Sequence, residues 1–399
     1  MARSKLILVL TTVMLSSAAL AAPPAWQVEV VDPSGTALYT SLRIDNVGNA
    51  HVAYVAERGD QELLRYAFWD HLLKRWFTTD IAKGVSFSSL TLDSKQRPHI
   101  SWADYGTGEG AKLRYAFWDG KAWKVTAVDL NSETIAYYTS IVLDAQDRPS
   151  ISFYEYRGAR GTETSVRMRV VMWNGKAWEV RTVDSANQSG KFNALAIDGN
   201  SRLHLAYANV NAMTAGMRYA FWNGTKWVAE IIEDQNVANE SVGYSTFIAV
   251  DSKGNPHIVY ANESNPSVKY AFRDGTQWKI ETVDTLTKVA YPDRFGIVLS
   301  EEDVPYVGYY DAGAGSVKIA WRSGSRWVTQ IVDQGGVGFT PSLGIHNGEI
   351  WVAYADISNG ALKVAHRGLS GDSIEIGAPL SDTHEEAGAI DNAGPHQPE

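Results

Sequence analysis

Two recurring sets of side chains in this sequence have the chemistry to hold a sugar. The first set is aromatic and precedes each copy of a repeated strand of the type S-L-x-I-D: Tyr39, Phe87, Tyr138, Phe192, Tyr244, Tyr291 or Phe295, and Phe339. The second set is polar and lies two residues after the aromatic residue of the following strand: Asp104, Glu155, Asn209, Asn262, Asp311 and Asp356, with Glu57 the nearest equivalent in the first copy. Aromatic planes cover the C–H faces of a sugar, while carboxylates and amides bond its hydroxyls. The two sets therefore predict a ligand-binding surface.

A purely structural role for both sets is the alternative. Aromatic side chains at equivalent places in a repeat can fill the contacts between repeats, and polar side chains at strand ends can cap them. The pattern leaves both readings open.

Catalysis would need carboxyl groups close enough to act as acid and base. Asp104 with Glu155, or Asp311 with Asp356, would serve if their carboxyls lie within about 5–10 Å. A lyase would instead use a tyrosine such as Tyr138 or Tyr291 as the base. Arg294 would then neutralise a uronate.

Other reactive motifs are missing from the sequence. Four histidines each follow an aspartate by six residues, and we expect each to stabilise a turn with its own aspartate: His51, His99, His204 and His257. The sequence contains no H-E-x-x-H, C-x-x-C, EF-hand or G-x-S-x-G motif. We therefore predict neither a metal site nor a cofactor.

The elements that position these side chains repeat along the chain. The segment 113–123 reads L-R-Y-A-F-W-D-G-K-A-W, and related hairpins recur at 66–76, 217–227 and 268–278. Asp119-Gly120 predicts a two-residue type I′ turn within this hairpin. A tryptophan opens the last strand of each unit about every 50 residues, at Trp26, Trp76, Trp123, Trp178, Trp227, Trp278 and Trp327.

A period of this length with four strand signals, here termed A to D in order, is typical of a β-propeller blade. We predict an all-β, seven-bladed propeller of four-stranded antiparallel blades, whose ring is closed by the N-terminal strand at residues 26–31. A β-sandwich is the alternative, but it does not explain the fixed period.

Alternating strand directions place the A–B and C–D connections on one face and the D–A and B–C connections on the other. The A–B and C–D connections are compact turns. The D–A and B–C connections are longer and more varied, and binding groups usually lie on such loops. We therefore assign the aromatic and polar sets to the D–A/B–C face.

The N-terminal segment, the net charge and the cysteine content indicate where in or outside the cell the protein is located. Arg3 and Lys5 precede an apolar run that ends in Ala19-Leu20-Ala21, which predicts a signal peptide at residues 1–22, cleaved near Ala21 or Ala22. A membrane anchor is the alternative, but the run is short and interrupted by Thr and Ser.

The net charge of -9 argues against nucleic acid as a partner, and the chain has 0 cysteines. We expect a secreted or periplasmic monomer without a membrane-inserted segment, with a propeller at 23–377 and a disordered acidic tail at 378–399.

With the repeats laid out, the chain resembles secreted bacterial propellers of the broad sialidase-like, BNR/Asp-box kind. The likeness rests on the W-D-G-x-x-W hairpin at Trp118 to Trp123, its W-N-G counterpart at Trp173 to Trp178, and the S-L-x-x-D-x-x-G-x-x-H segment at Ser41 to His51. In the family's Asp-box, S-x-D-x-G-x-x-W, a residue separates Asp from Gly, whereas here the two are adjacent and the serine is missing. The resemblance implies a propeller with a glycan ligand. It does not extend to a sialidase arginine triad or Tyr–Glu nucleophile pair.

Three functions are compatible with this sequence. The first is a non-catalytic module that binds a glycan through the D–A/B–C face. The second is a polysaccharide-active enzyme, either a lyase or a glycosidase, which needs one asymmetric pocket. The third is a scaffold for a protein partner in the cell envelope, which predicts an exposed apolar patch.

Overall fold

A computed structural model describes residues 23–104, 112–130, 135–157, 165–185, 189–210, 215–234, 242–289, 295–370 and 372. The predicted signal peptide and the predicted acidic tail lie outside these residues. No helix within the described ranges is long and apolar enough to span a bilayer.

Twenty-eight strands make up the described fold. In the first half of the chain they are β1 (Gln27–Asp32), β2 (Thr36–Ile44), β3 (Ala50–Arg58), β4 (Gln61–Asp70), β5 (Arg75–Lys83), β6 (Val85–Leu92), β7 (Pro98–Asp104), β8 (Lys112–Trp118), β9 (Trp123–Ala127), β10 (Ile135–Leu143), β11 (Pro149–Arg157), β12 (Ser165–Trp173), β13 (Trp178–Asp184) and β14 (Ser189–Ile197). The second half contains β15 (Leu203–Val210), β16 (Ala215–Trp222), β17 (Trp227–Glu233), β18 (Val242–Val250), β19 (Pro256–Asn262), β20 (Ser267–Asp274), β21 (Gln277–Thr285), β22 (Gly296–Leu299), β23 (Pro305–Asp311), β24 (Ser316–Ser323), β25 (Arg326–Gln334), β26 (Val337–His346), β27 (Glu349–Asp356) and β28 (Ala361–Gly368).

These strands form seven antiparallel sheets of four strands each, which confirms the predicted seven-bladed propeller. Blade 1 is β2–β5, and each later blade takes the next four strands, up to blade 6 at β22–β25. Blade 7 contains β26, β27 and β28, and β1 pairs antiparallel with β28 as its fourth strand. The first strand of each blade contacts the first strand of the next, and β26 contacts β2, so these strands lie innermost.

Apolar side chains fill the space between neighbouring sheets. One such cluster joins Val55 and Leu64 of blade 1 to Leu90, Ile100 and Trp102 of blade 2. The predicted cross-strand tryptophan pairs also form, with ring centroids 5.6 Å apart for Trp69–Trp76, 5.9 Å for Trp118–Trp123, 5.3 Å for Trp173–Trp178 and 5.8 Å for Trp222–Trp227. Each blade can be stable only beside its neighbours, because one sheet cannot bury both of its faces alone.

The C–D connection of blade 2 differs from the type I′ turn predicted at Asp119-Gly120. Trp118 pairs with Trp123, so four residues connect β8 to β9. Gly120 has a φ of 99°, but Asp119 is absent from the residues with positive φ. The Asp119 carboxylate instead accepts hydrogen bonds from the backbone N–H groups of Lys121 and Ala122, both at 2.8 Å. Aspartate occupies this position because it caps the turn.

Candidate functional site

In six of the seven blades the aromatic residue lies within the innermost strand and not before it, so that detail of the prediction is wrong there. Each of these six strands contains a β-bulge where the aromatic residue occurs, as between Leu38 and Ser41 or Ser86 and Ser89. In blade 6 the innermost strand, β22, begins at Gly296, after Phe295. Five of the aromatic residues have a left-handed backbone, with φ of 51° for Tyr39, 54° for Phe87, 53° for Tyr138, 49° for Phe192 and 51° for Phe339. In blade 5 the left-handed residue is Ser245, next to Tyr244. A left-handed backbone is costly for bulky residues, so the surrounding contacts must hold it in place.

Contacts between neighbouring aromatic rings supply part of this constraint. Ring centroids lie 4.6 Å apart for Tyr39–Phe87, 4.4 Å for Phe87–Tyr138, 5.0 Å for Tyr138–Phe192 and 5.0 Å for Phe192–Tyr244. We call these five residues the aromatic arc, which runs continuously across blades 1 to 5. Phe339 of blade 7 packs against Tyr310, with centroids 5.8 Å apart.

The rings of the arc are unequally exposed. Phe87, Tyr138 and Phe192 are buried, with exposed fractions of 9%, 8% and 3%. Tyr39, Tyr244 and Phe339 are partly exposed. The middle of the arc thus fits the packing role, while its two ends and Phe339 keep surface that a ligand could reach.

Hydroxyl side chains connect the bulges of successive blades. Ser88 Oγ donates to the Tyr39 carbonyl at 2.8 Å, and Thr139 Oγ1 donates to the Phe87 carbonyl at 2.6 Å. Thr40 Oγ1 likewise donates to the Thr340 carbonyl of blade 7. The aromatic–Ser/Thr pair in the sequence is the signal for this arrangement, and our sequence reading missed it.

The polar set lies where predicted, at the B–C ends of the second strands, but its acidic members are ion-paired with cations of the third strands. Asp104 Oδ2 accepts from Arg114 Nε at 2.8 Å, and the 1% exposed Glu155 lies 3.6 Å from Arg169 Nε. Asp311 pairs with Lys318 at 3.1 Å and Asp356 with Lys363 at 2.8 Å. Burial alone would raise the pKa of Asp311 and Asp356, yet the hydrogen bonds and charges of these lysines hold both below the ordinary value.

The asparagines of the polar set occupy the same register in blades 4 and 5. Asn209 pairs with Gly216 across the hairpin of blade 4, and Asn262 pairs with Ser267 in blade 5. Asn262 Oδ1 also accepts the backbone N–H of Asn265 at 3.1 Å, so this side chain helps shape the B–C turn.

A second acidic position, missed by our sequence reading, lies at the end of the outermost strand. Tyr54 donates to Asp32 at 2.6 Å, Tyr309 to Asp284 at 2.8 Å and Tyr354 to Asp333 at 2.8 Å. Each tyrosine belongs to the blade after the one that supplies the aspartate. The same aspartates receive cations of the third strand, as in Arg65–Asp32 and Lys318–Asp284. The recurring V-D at the end of strand D was the available signal.

The predicted histidine–aspartate pairs form in all four repeats. The Nε2–Oδ2 distances are 3.4 Å for His51–Asp45, 3.5 Å for His99–Asp93, 3.5 Å for His204–Asp198 and 3.6 Å for His257–Asp251. Nδ1 of each ring lies within hydrogen-bonding distance of a tyrosine of the third strand, Tyr66, Tyr115, Tyr219 or Tyr270. Within the described ranges, no group of three or more acidic or histidine side chains could hold a metal ion.

Two predicted site residues, Tyr291 and Arg294, lie outside the described residues. Phe295, the alternative to Tyr291 in the aromatic set, is 1% exposed and packs against Tyr309, so it belongs to the core.

The pKa of Glu62 is shifted in the opposite direction from that of Asp311 and Asp356. Glu57 and Glu62 face each other across the B–C hairpin of blade 1, beside a polar pocket of about 390 Å³ that includes Lys83. Loss of solvent on one side, together with the charge of Glu57, raises the pKa of Glu62.

Comparisons with known proteins support the fold. No family model matches the chain, and no curated protein matches it. Among solved structures, an ulvan lyase described as a new polysaccharide lyase family is similar with a TM-score of 0.59 at 11% identity, covering 86% of this chain and 96% of the lyase. A mutant of Aleuria aurantia lectin in complex with Fucα1-6GlcNAc has a TM-score of 0.51 at 14% identity, covering 77% and 98%. A Hadza microbial sialidase has a TM-score of 0.50 at 11% identity, covering 86% and 68%. At these identities the likeness is one of fold, and it places this chain among proteins built as propellers.

Proposed function

We propose that this protein is a secreted carbohydrate-binding propeller that holds its ligand without cleaving it. The observation that carries the proposal is the pairing of the four carboxylates in the polar set with arginine or lysine. A general acid must keep its proton near neutral pH, and Asp311 and Asp356, whose pKa the paired lysines hold below the ordinary value, do not. Glu155 is buried against its arginine as well, and the partly exposed Asp104 is the member of the four that a ligand can reach.

Partly exposed aromatic side chains of the innermost strands support a carbohydrate as the ligand. Tyr39, Tyr244 and Phe339 are partly exposed at the same end of the blades as the polar set. Rings beside fixed hydrogen-bonding groups match the alternating apolar and polar surfaces of a sugar. Several similar solved structures act on or bind carbohydrates according to their descriptions, which adds support of an indirect kind.

Incubation of the purified protein with neutral and acidic polysaccharides tests this proposal, with both retention and new chain ends measured. We expect retention without new ends. Tyr39→Ala should weaken retention by about tenfold, since a stacking contact contributes about 1–1.5 kcal/mol. Leu72→Ala, at an exposed residue on the opposite face, is the matched control and should leave retention unchanged. New chain ends from the unaltered protein would overturn the non-catalytic part of the proposal.

A polysaccharide-active enzyme is the second candidate, and Glu62 is the observation that favours it. A carboxyl with a raised pKa beside a second carboxyl in a pocket is the arrangement that acid–base catalysis uses. If new chain ends appear, Glu62→Gln should abolish them while Asp311→Asn, at an ion-paired carboxylate, should leave some activity. Equal loss in both variants would contradict an active site at Glu62.

Secretion is part of the same proposal and rests on residues 1–22. Amino-terminal sequencing of the protein from cell fractions tests it. Mature protein beginning near Ala22 in the periplasm or medium is the expected result, and an intact Met1 in the cytoplasm would contradict it.

A further inference from the structure

A pocket of about 610 Å³ lies between blades 1 and 2 on the A–B/C–D face, opposite the proposed binding face. Its walls are aromatic: Tyr66, Phe68 and Phe77 from blade 1, with Trp118 and Trp123 from blade 2. We call it the 1/2 pocket. The compact turns of this face gave no reason to expect a cavity there.

The aromatic walls stand at steep angles to one another. Tyr66 and Trp123 meet edge to face with centroids 5.2 Å apart and planes at 72°, and Trp118 meets Trp123 at 5.9 Å and 66°. Phe77 is 37% exposed at the opening. Such walls offer two apolar surfaces to one ligand.

Polar groups border the same space. Thr78, Thr79 and Lys95 are exposed at the pocket. Arg97 is held in place by Asp93, whose Oδ2 it contacts at 2.7 Å, so its guanidinium is a fixed donor. A ligand with both an apolar face and several hydroxyls would satisfy walls and border together.

Two other blade contacts have charged side chains in the space that is open in the 1/2 pocket. Arg273 of blade 5 pairs with Glu230 of blade 4, and Arg322 of blade 6 pairs with Glu281 of blade 5 at 3.0 Å. Trp278 and Trp327 each donate Nε1 to the same glutamates, at 3.2 and 2.9 Å. At both contacts an ion pair occupies the space beside the tryptophan.

Strand register identifies the equivalent residues of blades 1 and 2. Thr79 pairs with Tyr66 as Glu230 pairs with Tyr219, and Trp118 pairs with Trp123 as Arg273 pairs with Trp278. Threonine and tryptophan thus stand where the contacts between blades 4 and 5 and between blades 5 and 6 have glutamate and arginine. The contact between blades 2 and 3 also has Thr126 and Trp173, but Lys124 replaces Phe77 and removes one apolar wall.

We propose that the 1/2 pocket is a saccharide-binding site, formed where Thr79 and Trp118 occupy the positions that carry a Glu–Arg bridge at two other blade contacts. The sugar unit packs its C–H face on Trp118 and Phe77 and directs hydroxyls to Thr79 and Arg97. The volume suits a mono- or disaccharide unit. The ligand class rests on the proposed function, whereas the location does not.

The test replaces Thr79 and Trp118 with the glutamate and arginine found at the 4/5 and 5/6 blade contacts. The intact protein is first screened against immobilised mono- and disaccharides, and the best binder is titrated by calorimetry. Thr79→Glu together with Trp118→Arg should recreate the bridge, fill the pocket and weaken that binding at least tenfold. Thermal unfolding should show a Tm within a few degrees of the unaltered protein, because the bridge is native to two other contacts.

Two further variants keep the outcomes distinct. Thr79→Glu alone changes an exposed residue and should weaken binding even if the double variant folds poorly. Ile331→Ala, at an exposed residue of the outermost strand of blade 6, should leave this binding unchanged. Unchanged affinity in both pocket variants would overturn the inference and leave the proposed function standing, whereas absence of any saccharide binding by the intact protein would remove both.

Discussion

Three buried histidines, His99, His204 and His257, each lie between an aspartate and a tyrosine at a tight turn. Burial lowers the pKa of all three, and the neighbouring aspartate only partly offsets this effect. They are therefore neutral in the folded protein at pH 7, and they act as spacers within the turn and not as charged ligands.

From the burial of these histidines we predict that the free energy of unfolding decreases as the pH drops below about 6.5. In that range the unfolded chain binds protons that the folded protein excludes, so the free energy of unfolding decreases by up to about 1.4 kcal/mol per pH unit for each histidine. Urea unfolding at pH 7, 6 and 5 measures the slope. His204→Gln should reduce the slope of the free energy of unfolding against pH by about one third of the part that the three histidines contribute.

A residue without an ionisable side chain provides the control for this measurement. Asn200 is exposed in the same turn as His204, and its backbone N–H donates to Asp198 at 2.9 Å. Asn200→Ala keeps this backbone contact and should leave the slope as it is in the unaltered protein. A slope that responds equally to both substitutions would contradict the explanation by burial.

At the scale of the element, the bulges in the innermost strands of blades 1 to 5 are the feature that governs the aromatic arc. Phe87 has a φ of 54°, which an L-residue adopts at a cost of about 1 kcal/mol and glycine adopts freely. The hydroxyl of the next blade bonds the Phe87 carbonyl and holds this conformation.

Substitutions at Phe87 should therefore reverse the usual order of alanine and glycine in a strand. Both Phe87→Ala and Phe87→Gly lose the ring and about 3 kcal/mol or more of stability. Phe87→Gly should nevertheless be the more stable of the two by about 1 kcal/mol, as measured by denaturant unfolding. Ile100, buried in regular strand β7, is the control, and there glycine should be worse than alanine. The same order at both positions would contradict strain at the bulge.

At the scale of the whole molecule, the contact between blades 7 and 1 joins the two ends of the chain. Asp32 ends β1 in blade 7, and it accepts hydrogen bonds from Tyr54 and Arg65 of blade 1. Asp333 at the end of blade 6 makes the equivalent contacts with Tyr354 and Lys363 of blade 7. The terminal contact therefore uses the same network as an internal one.

This equivalence predicts matched losses for two substitutions. Asp32→Asn and Asp333→Asn should each lower the free energy of unfolding by roughly 1–3 kcal/mol, because each removes one charged hydrogen-bond acceptor from a tyrosine and a cation. The cations keep their second carboxylates, Asp80 for Arg65 and Asp356 for Lys363. Chemical denaturation of both variants tests it. If the ring is open between blades 7 and 1 in solution, Asp333→Asn will destabilise the protein and Asp32→Asn will not.

The repeated hairpins by themselves determined the architecture of this protein. Strand alternation and turn residues are local signals, and their fixed period predicts blades before any long-range contact is known. The four Asp–His pairs and the tryptophan pairs followed for the same reason, since their members are close in sequence. The residues of the aromatic arc were recognised in the sequence, but their place inside the strands and their conformation were not, because a bulge depends on the pairing of two strands.

Only the tertiary structure decided which side chains are neutralised and where a cavity remains. Asp311 could serve as a base in isolation, and it is the packing of strand against strand that brings Lys318 to it. The 1/2 pocket depends on Thr79 and Trp118, which belong to different blades and are placed together by sheet-to-sheet contact. Such contacts follow from the relative position of whole sheets, which no local pattern of residues encodes.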